Sequence, residues 1–215
     1  PCALDTSFGD LKTKFVPRWP DNAAKVQFPV EIHASGSDMV AAYVDENGPA
    51  SVDRIDSAGN VQHISAPPAT KTIAADGQSV LMAVGLSGER ISVLRAGANG
   101  ALDTTFGKGD ASVNGIAAPA GMAVGMGSAR YVISGTNLNS TEWRVATLDN
   151  TGAVATTFGD AGVARVDYAA GVTAPTTVFF TSTNGVVACG SAGVQDNRPT
   201  LTRWTSSGAL DVTFG

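Results

Sequence analysis

Few side chains of this sequence are suited to nucleophilic or metal chemistry. The chain has two histidines, His33 and His63, which stand far apart and fit no ligand spacing such as His-x-x-x-His. It also lacks a Gly-x-Ser-x-Gly elbow, a phosphate-binding glycine loop and a dinucleotide-binding fingerprint. The sequence therefore predicts no metal site and no catalytic residue, although a Ser-His-Asp set assembled from distant positions stays open.

Glycine-rich acidic turns and one proline-flanked aromatic residue are the remaining candidates for ligand binding. Asp110 ends "GKGD" and Asp160 lies in "GDAG", where carboxylate oxygens can bind Ca²⁺. The need for tight turns explains the same glycines and aspartates without a bound ion. No cofactor is therefore predicted, and calcium is the alternative. Trp19 follows Arg18 in "FVPRWPDN", a predicted loop in which an exposed indole can hold a ligand or pack locally. The candidate ligand-binding residues are Arg18, Trp19, Asp110 and Asp160.

Charge and composition argue against two classes of partner. The 215 residues include 14 Lys and Arg against 19 Asp and Glu, a net charge of −5 at pH 7. Nucleic acid and anionic membranes do not attract an acidic protein that has no basic cluster. No apolar run approaches the roughly 18 residues of a membrane span. With 43% hydrophobic residues and 25 glycines, the chain is predicted to fold as a turn-rich globular protein.

A turn glycine recurs along the chain at intervals of 41, 52 and 56 residues, which is close to the spacing of repeat architectures. In three of the four copies an arginine stands five positions before this glycine. The glycines are Gly59, Gly100, Gly152 and Gly208, and the residues five positions before them are Arg54, Arg95, Thr147 and Arg203. The predicted units are 3–59, 60–100, 101–152 and 153–208, and 209–215 is a further copy of the motif described next.

The motif Leu-Asp-x-(Ser/Thr)-Phe-Gly follows the turn glycine, complete in "ALDTTFG" at 101–107 and degenerate in "AVATTFG" at 153–159. We expect it to link the outer strand of one sheet to the inner strand of the next. Its aspartate can accept backbone N–H bonds in an Asx-turn, and its phenylalanine can fill the interface between two sheets. A role for the aspartates as ligands is the alternative. The motif residues are Asp5, Asp103 and Asp211 with Phe8, Phe106, Phe158 and Phe214.

Each unit contains four short apolar or alternating runs separated by Gly, Pro, Asn and Asp, which is typical of strands joined by tight turns. No window has a capped helical period. A unit of four strands has two apolar faces and no core of its own, so it must pack on its neighbours. The sequence therefore predicts an all-β protein, a single β-propeller domain over 1–215 with four blades of four antiparallel strands.

The repeats resemble the delta-60 repeat family, whose bacterial repeats carry a "G-x-L-D-x-(S/T)-F-G-x-x-G" signature. Residues 100–109, "GALDTTFGKG", match it nearly throughout, and 3–9 and 209–215 match as far as the chain extends. The resemblance implies a β-propeller, often in a secreted setting, and it supplies no shared catalytic residues.

The termini carry two features that bear on how the ring closes. A ring made from one chain must be held where its ends meet, and some four-bladed propellers, which this arrangement resembles, use a disulfide there. We therefore expect Cys2 to pair with Cys189, which implies secretion or a periplasm. There is one motif copy more than four blades need, so either Phe8 or Phe214 is surplus. A closed monomer is expected, and half of an eight-bladed dimer or a piece of a larger propeller is the alternative.

These observations favour a secreted, non-catalytic propeller that binds or scaffolds a glycan, a peptide or a protein. The alternative is an extracellular hydrolase or lyase whose polar residues meet at the mouth of the central channel. Nothing in the predicted loops supplies a nucleophile together with its base, which is why the binding protein is the preferred interpretation.

Overall fold

A computed structural model describes residues 28–35, 38–44, 51–67, 69–125, 131–168, 172–192 and 198–214. Five residues of the sequence predictions lie outside this part of the chain, so the model does not bear on them. They are Cys2, Asp5, Phe8, Arg18 and Trp19.

The described residues form fifteen strands in four antiparallel sheets, each a meander in chain order. Within these residues the first three sheets have four strands and the last has three. The first sheet contains β1 (Phe28–Ser35), β2 (Asp38–Val44), β3 (Ser51–Ile55) and β4 (Val61–Ser65). The second contains β5 (Thr70–Asp76), β6 (Ser79–Gly85), β7 (Arg90–Ala96) and β8 (Ala111–Asn114). The third contains β9 (Ala118–Val124), β10 (Tyr131–Thr136), β11 (Glu142–Leu148) and β12 (Val163–Asp167), and the fourth β13 (Val172–Phe180), β14 (Val186–Ala192) and β15 (Arg198–Trp204).

Helical structure within the described residues is limited to one 3₁₀ turn, Phe106–Gly109. No helix in that part of the chain is long and apolar enough to cross a membrane. The all-β prediction is therefore confirmed.

The sheets stack in chain order, with the innermost strands β1, β5, β9 and β13 side by side. We call each interface between two neighbouring sheets a seam. Each of the three seams between consecutive sheets holds its own cluster of buried aliphatic and aromatic side chains. Because a twisted sheet with two apolar faces cannot bury them alone, these clusters hold the stack together. Representative members are Val52, Ile64 and Met82 in the first seam, Phe106, Tyr131 and Ile133 in the second, and Trp143, Phe158 and Trp204 in the third.

The repeated motif lies within a sheet, so the prediction that it links one sheet to the next is wrong. Residues 97–110 connect β7 to β8, and these strands pair antiparallel, with Val93 opposite Ala111. Units counted from the turn glycine begin one strand too early, because the strand after the motif still belongs to the preceding sheet. Each of the first three sheets therefore takes its outermost strand from the next sequence unit.

The turn glycines lie where backbone from two sheets comes into close contact. Gly152 and Gly208 have φ of +87° and +81°, the left-handed region that favours glycine. A Cβ on Gly152 would lie 2.8 Å from the nitrogen of Gly107 and 3.0 Å from the Phe106 ring. A Cβ on Gly208 would lie 2.3 Å from the nitrogen of Gly159. The recurrence of glycine at this position is thus a packing requirement.

The buried motif phenylalanines are predicted to dominate the stability of their seams. Phe106 and Phe158 are both 1% exposed, so truncation to alanine leaves a cavity and should lower the free energy of unfolding by about 3–5 kcal/mol. Leu138, 63% exposed at a hairpin tip, is the matched control, and Leu138→Ala should change it by less than about 0.5 kcal/mol. Denaturant unfolding measures both, and equal losses at Phe106 and Leu138 would contradict the seam assignment.

Candidate functional site

An arginine and the motif aspartate form a clamp that joins β7 to the loop after it. The Nε and Nη2 atoms of Arg95 donate to Oδ2 of Asp103 at 3.0 and 2.6 Å. The other carboxylate oxygen accepts the backbone N–H and the hydroxyl of Thr105 at 2.8 and 2.6 Å, which is the predicted Asx-turn. Hydrogen bonds from Thr105 and Arg95 hold the pKa of Asp103 far below its ordinary value. The aspartate therefore carries its charge throughout the neutral range.

The same arginine reaches across the second seam. Its guanidinium carbon lies 4.6 Å from the centroid of the Phe106 ring, and its Nη1 donates to the backbone oxygen of Asn150 in the third sheet at 3.1 Å. Phe106 meets Tyr131 edge to face, with ring centroids 5.7 Å apart. Burial and the hydrogen bond to Asp76 raise the pKa of Tyr131 to about 12. The motif is thus a structural device that ties two sheets together.

The clamp recurs in the fourth sheet and takes a different form in the first. Arg203 Nε donates to Asp211 at 2.6 Å, and the arginine covers the Phe214 ring at 4.6 Å. In the first sheet Arg54 pairs with Asp38, at 3.0 Å from Nε, and its Nη1 reaches the backbone oxygen of Ala98 in the second sheet at 3.3 Å. The repeated arginine was visible in the sequence, but its role was missed there. An aspartate eight positions after Arg95 and after Arg203 was the available signal.

The third sheet lacks both members of the clamp. Thr147 stands at the arginine position and Ala155 at the aspartate position, so the two changes occur together. The backbone contact across the seam is retained, because Gly159 donates to the Ser207 oxygen at 2.8 Å as Gly107 does to Thr151 at 2.6 Å. Among the described residues, Thr147 Oγ1 and Trp204 Nε1 are the buried side-chain polar atoms without a hydrogen-bond partner.

A groove opens on the surface of this third seam. It has a volume of about 350 Å³, within the range of small-molecule sites. At its side Arg165 Nη2 donates to Asp160 Oδ2 at 2.5 Å, with 52% and 77% of the respective side chains exposed. We call it the seam groove. It is lined by Gly159, Asp160, Val163, Ala164, Arg165, Ser207, Gly208 and Ala209.

Asp110 and Asp160, the two predicted ligand-binding residues that the structure describes, lie on different parts of the surface. Asp160 lies in the seam groove, as just described. Asp110 lies outside it and accepts a hydrogen bond from the Ser92 hydroxyl. The structure therefore does not bring the two aspartates into one site. No group of three or more His, Cys, Asp or Glu side chains that could hold a metal occurs within the described residues.

The ionisable residues of the described strands are not concentrated on the innermost ones. β9 and β13 contain none, β1 contains Glu31 and His33, and β5 contains Lys71 and Asp76, of which Asp76 is bonded to Tyr131. The imidazole of His63 lies 2.9 Å from the Asp53 carboxylate, on strands β4 and β3 away from the centre. The imidazole of this pair is exposed on the outer part of the first sheet.

Comparison with known proteins identifies the fold. No family model and no curated protein matches the chain. Among solved structures it is similar to hydrazine synthase from Kuenenia stuttgartiensis, at 14% identity and TM-score 0.59 over 88% of this chain and 50% of that one. It is also similar to the propeller domain of the Trilobed protease from Pyrococcus furiosus, at 9% identity and TM-score 0.55 over 89% and 58%, which is described as having an open velcro topology. The Dos1 propeller matches at 14% identity and TM-score 0.53 over 85% and 46%.

These likenesses and the four stacked antiparallel sheets make the chain a β-propeller domain. The chain spans about half the length of the solved structures that it matches.

The clamp should make stability fall in acid. Because the folded-state pKa of Asp103 lies below its unfolded value, the ionised carboxylate stabilises the fold above about pH 4, and this contribution is lost as pH falls below that. Asp103→Asn should lower the unfolding midpoint at pH 7 and flatten its decline below pH 4. Asp160→Asn, which removes an exposed ion pair, is the control and should change little. Thermal unfolding from pH 7 to pH 3 measures this, and an unchanged acid profile in Asp103→Asn would contradict it.

Proposed function

We propose that this chain is a secreted or periplasmic β-propeller of the delta-60 repeat type that binds a glycan, a peptide or a protein without catalysis. The seam groove is the proposed binding site. The observation that carries this proposal is the exposed Asp160–Arg165 pair beside a groove of about 350 Å³.

The chemistry of the pair suits a ligand with both donors and acceptors. A carboxylate accepts hydrogen bonds from sugar hydroxyls or peptide N–H groups, and a guanidinium donates several in a fixed fork. The backbone of Gly159 and Gly208 adds a wall without side chains, so a ligand can approach the main chain closely. Because both charged side chains are more than half exposed, a ligand can replace their mutual contact at small cost.

The third seam is also the one without the arginine clamp. In the second seam Arg95 and Asp103 are committed to each other and to the neighbouring sheet. In the third, the positions of Thr147 and Ala155 carry no charge, and the charged pair lies on the surface instead. This difference supports the choice of the third seam among the described seams as the ligand-binding one.

A binding screen with polysaccharides, oligosaccharides and peptides on the whole chain tests the proposal. For any ligand found, Asp160→Asn and Arg165→Gln should each weaken binding at least roughly tenfold, because each removes a charge-assisted hydrogen bond. Asp110→Asn is the matched control, since Asp110 is an exposed aspartate of the corresponding motif loop outside the groove, and it should bind as the unchanged chain does.

Other results assign the function elsewhere. Loss of binding only in Trp19→Ala would move the site to the predicted indole platform. Release of shorter products from a bound polysaccharide would favour the hydrolase or lyase. Calcium-dependent binding that Asp160→Asn abolishes would make the groove aspartate a metal ligand.

The proposed extracellular setting rests on the predicted disulfide between Cys2 and Cys189. Cys189 lies on β14 as a partly buried thiol in the structure, and burial raises the pKa of that thiol. Thiol titration of the unreduced, denatured protein from an oxidising compartment should find no free thiol, and reduction should release two. Two free thiols before reduction would contradict the disulfide and remove this argument for secretion.

A further inference from the structure

The seam groove runs along the edge of a strand rather than across the face of a sheet. Three successive residues of β12, 163–165, line one side of it. Because successive side chains of a strand point to opposite faces, three in a row can line a groove together only along the edge of the strand. β12 is the outermost strand of the third sheet, which lies between two described sheets, so this edge is not at an end of the stack.

The hydrogen bonds of β12 show which main-chain groups face this edge. Val163 exchanges two backbone hydrogen bonds with Asp160, at 2.9 and 3.0 Å, on the side away from β11. Tyr168 donates at 3.2 Å to the oxygen of Thr141, the residue before β11, and so bonds on the inner side. Main-chain groups alternate between the two sides of an antiparallel strand, so the N–H and C=O of Arg165 point outward as those of Val163 do. No described residue bonds to these two groups from that side.

A short existing pairing ends beside these outward groups. Asp160 pairs with Val163, but the residue before it turns to the fourth sheet, where Gly159 donates to the Ser207 oxygen at 2.8 Å. Arg165 is the next residue of β12 whose main chain faces outward, and it lines the groove. An extended segment beside Arg165 would therefore continue the ladder that Asp160 begins.

The walls of the groove suit a ligand that binds through its main chain. Half of the eight lining residues are glycine or alanine, and none of the eight is aromatic. Small side chains allow another backbone to approach within hydrogen-bond distance. A groove without an aromatic ring offers no flat surface for the apolar face of a sugar. The small residues are Gly159, Ala164, Gly208 and Ala209.

We propose that the seam groove binds an extended peptide, which adds to the third sheet as a further strand beside β12. This inference rests on the proposed binding function and selects one of its three ligand classes. The peptide main chain exchanges hydrogen bonds with the N–H and C=O of Arg165. The exposed side chains of Asp160 and Arg165 accept from and donate to the neighbouring amide groups of the peptide.

Two substitutions of Arg165 separate its main chain from its side chain. Arg165→Gln and Arg165→Pro both remove the guanidinium, but only proline also removes the outward N–H, and a strand edge tolerates proline at such a position. The probe is an immobilised library of short random peptides. For the peptides that the unchanged chain binds, Arg165→Pro should weaken binding at least roughly tenfold more than Arg165→Gln does.

Ser112→Pro is the matched control. Ser112 holds the corresponding position on β8, the outermost strand of the second sheet. Its main chain also faces outward, because Gly115 donates inward to the Glu89 oxygen at 2.7 Å, and Ser112 does not line the groove. Ser112→Pro should bind peptides as the unchanged chain does. Neither proline removes a bond within its sheet, so each variant should keep the circular dichroism spectrum of the unchanged chain.

N-methylated peptides give a second measurement, made from the side of the ligand. A single N-methyl group moved along a bound peptide should weaken binding at alternate positions, because only alternate N–H groups of an added strand face β12. An effect without this alternation would overturn the proposal. Equal losses in Arg165→Pro and Arg165→Gln would overturn it as well, since the outward N–H would then have no part in binding.

The remaining outcomes distinguish this inference from the proposed function. If the chain binds a glycan but no peptide, and Asp160→Asn weakens that binding, the added strand is wrong and the groove remains the binding site. If peptides bind but neither Asp160→Asn nor Arg165→Pro weakens their binding, the site lies elsewhere and both proposals are wrong.

Discussion

The burial of sheet faces at seams is the constraint on which every other feature of this propeller depends. A meander of four short strands satisfies its backbone hydrogen bonds internally, except at its edges, but it has two apolar faces and no interior. Each face therefore needs a neighbouring sheet. The clusters around Phe106 and Phe158 show how completely the internal seams meet this need, since their large side chains are almost wholly buried.

The clamp adds direction to this otherwise non-directional packing. Apolar faces tolerate sliding, whereas Arg95 fixes three points at once: the motif aspartate, the ring of Phe106 and a backbone oxygen of the next sheet. Where the arginine is lost, the aspartate is lost with it, as Thr147 and Ala155 show. A partly buried guanidinium needs a carboxylate partner, and in the first sheet, where Gln62 stands at the position of the motif aspartate, Asp38 supplies the carboxylate to Arg54.

The sequence predicts the sheets and the seam phenylalanines well because both depend on local patterns. Alternating apolar runs and turn glycines indicate strands. A phenylalanine that recurs at a fixed distance from a turn is predicted to be buried at an interface between sheets. The position of the motif within a sheet was not predictable in the same way. The strand after the motif can pair with the sheet before it or with the sheet after it, and its alternating apolar pattern is the same in both cases. The groove was invisible because Asp160 and Ser207 meet only through stacking of the third and fourth sheets.

The same constraint bears on where a ligand is proposed to bind in this chain. In a seam that holds its clamp, the charged groups are committed to each other, as Arg95 and Asp103 are. The third seam lacks the clamp, and the Asp160–Arg165 pair lies exposed on its surface instead. A ligand bound there would replace a solvent-exposed ion pair and leave every contact that holds the sheets together in place.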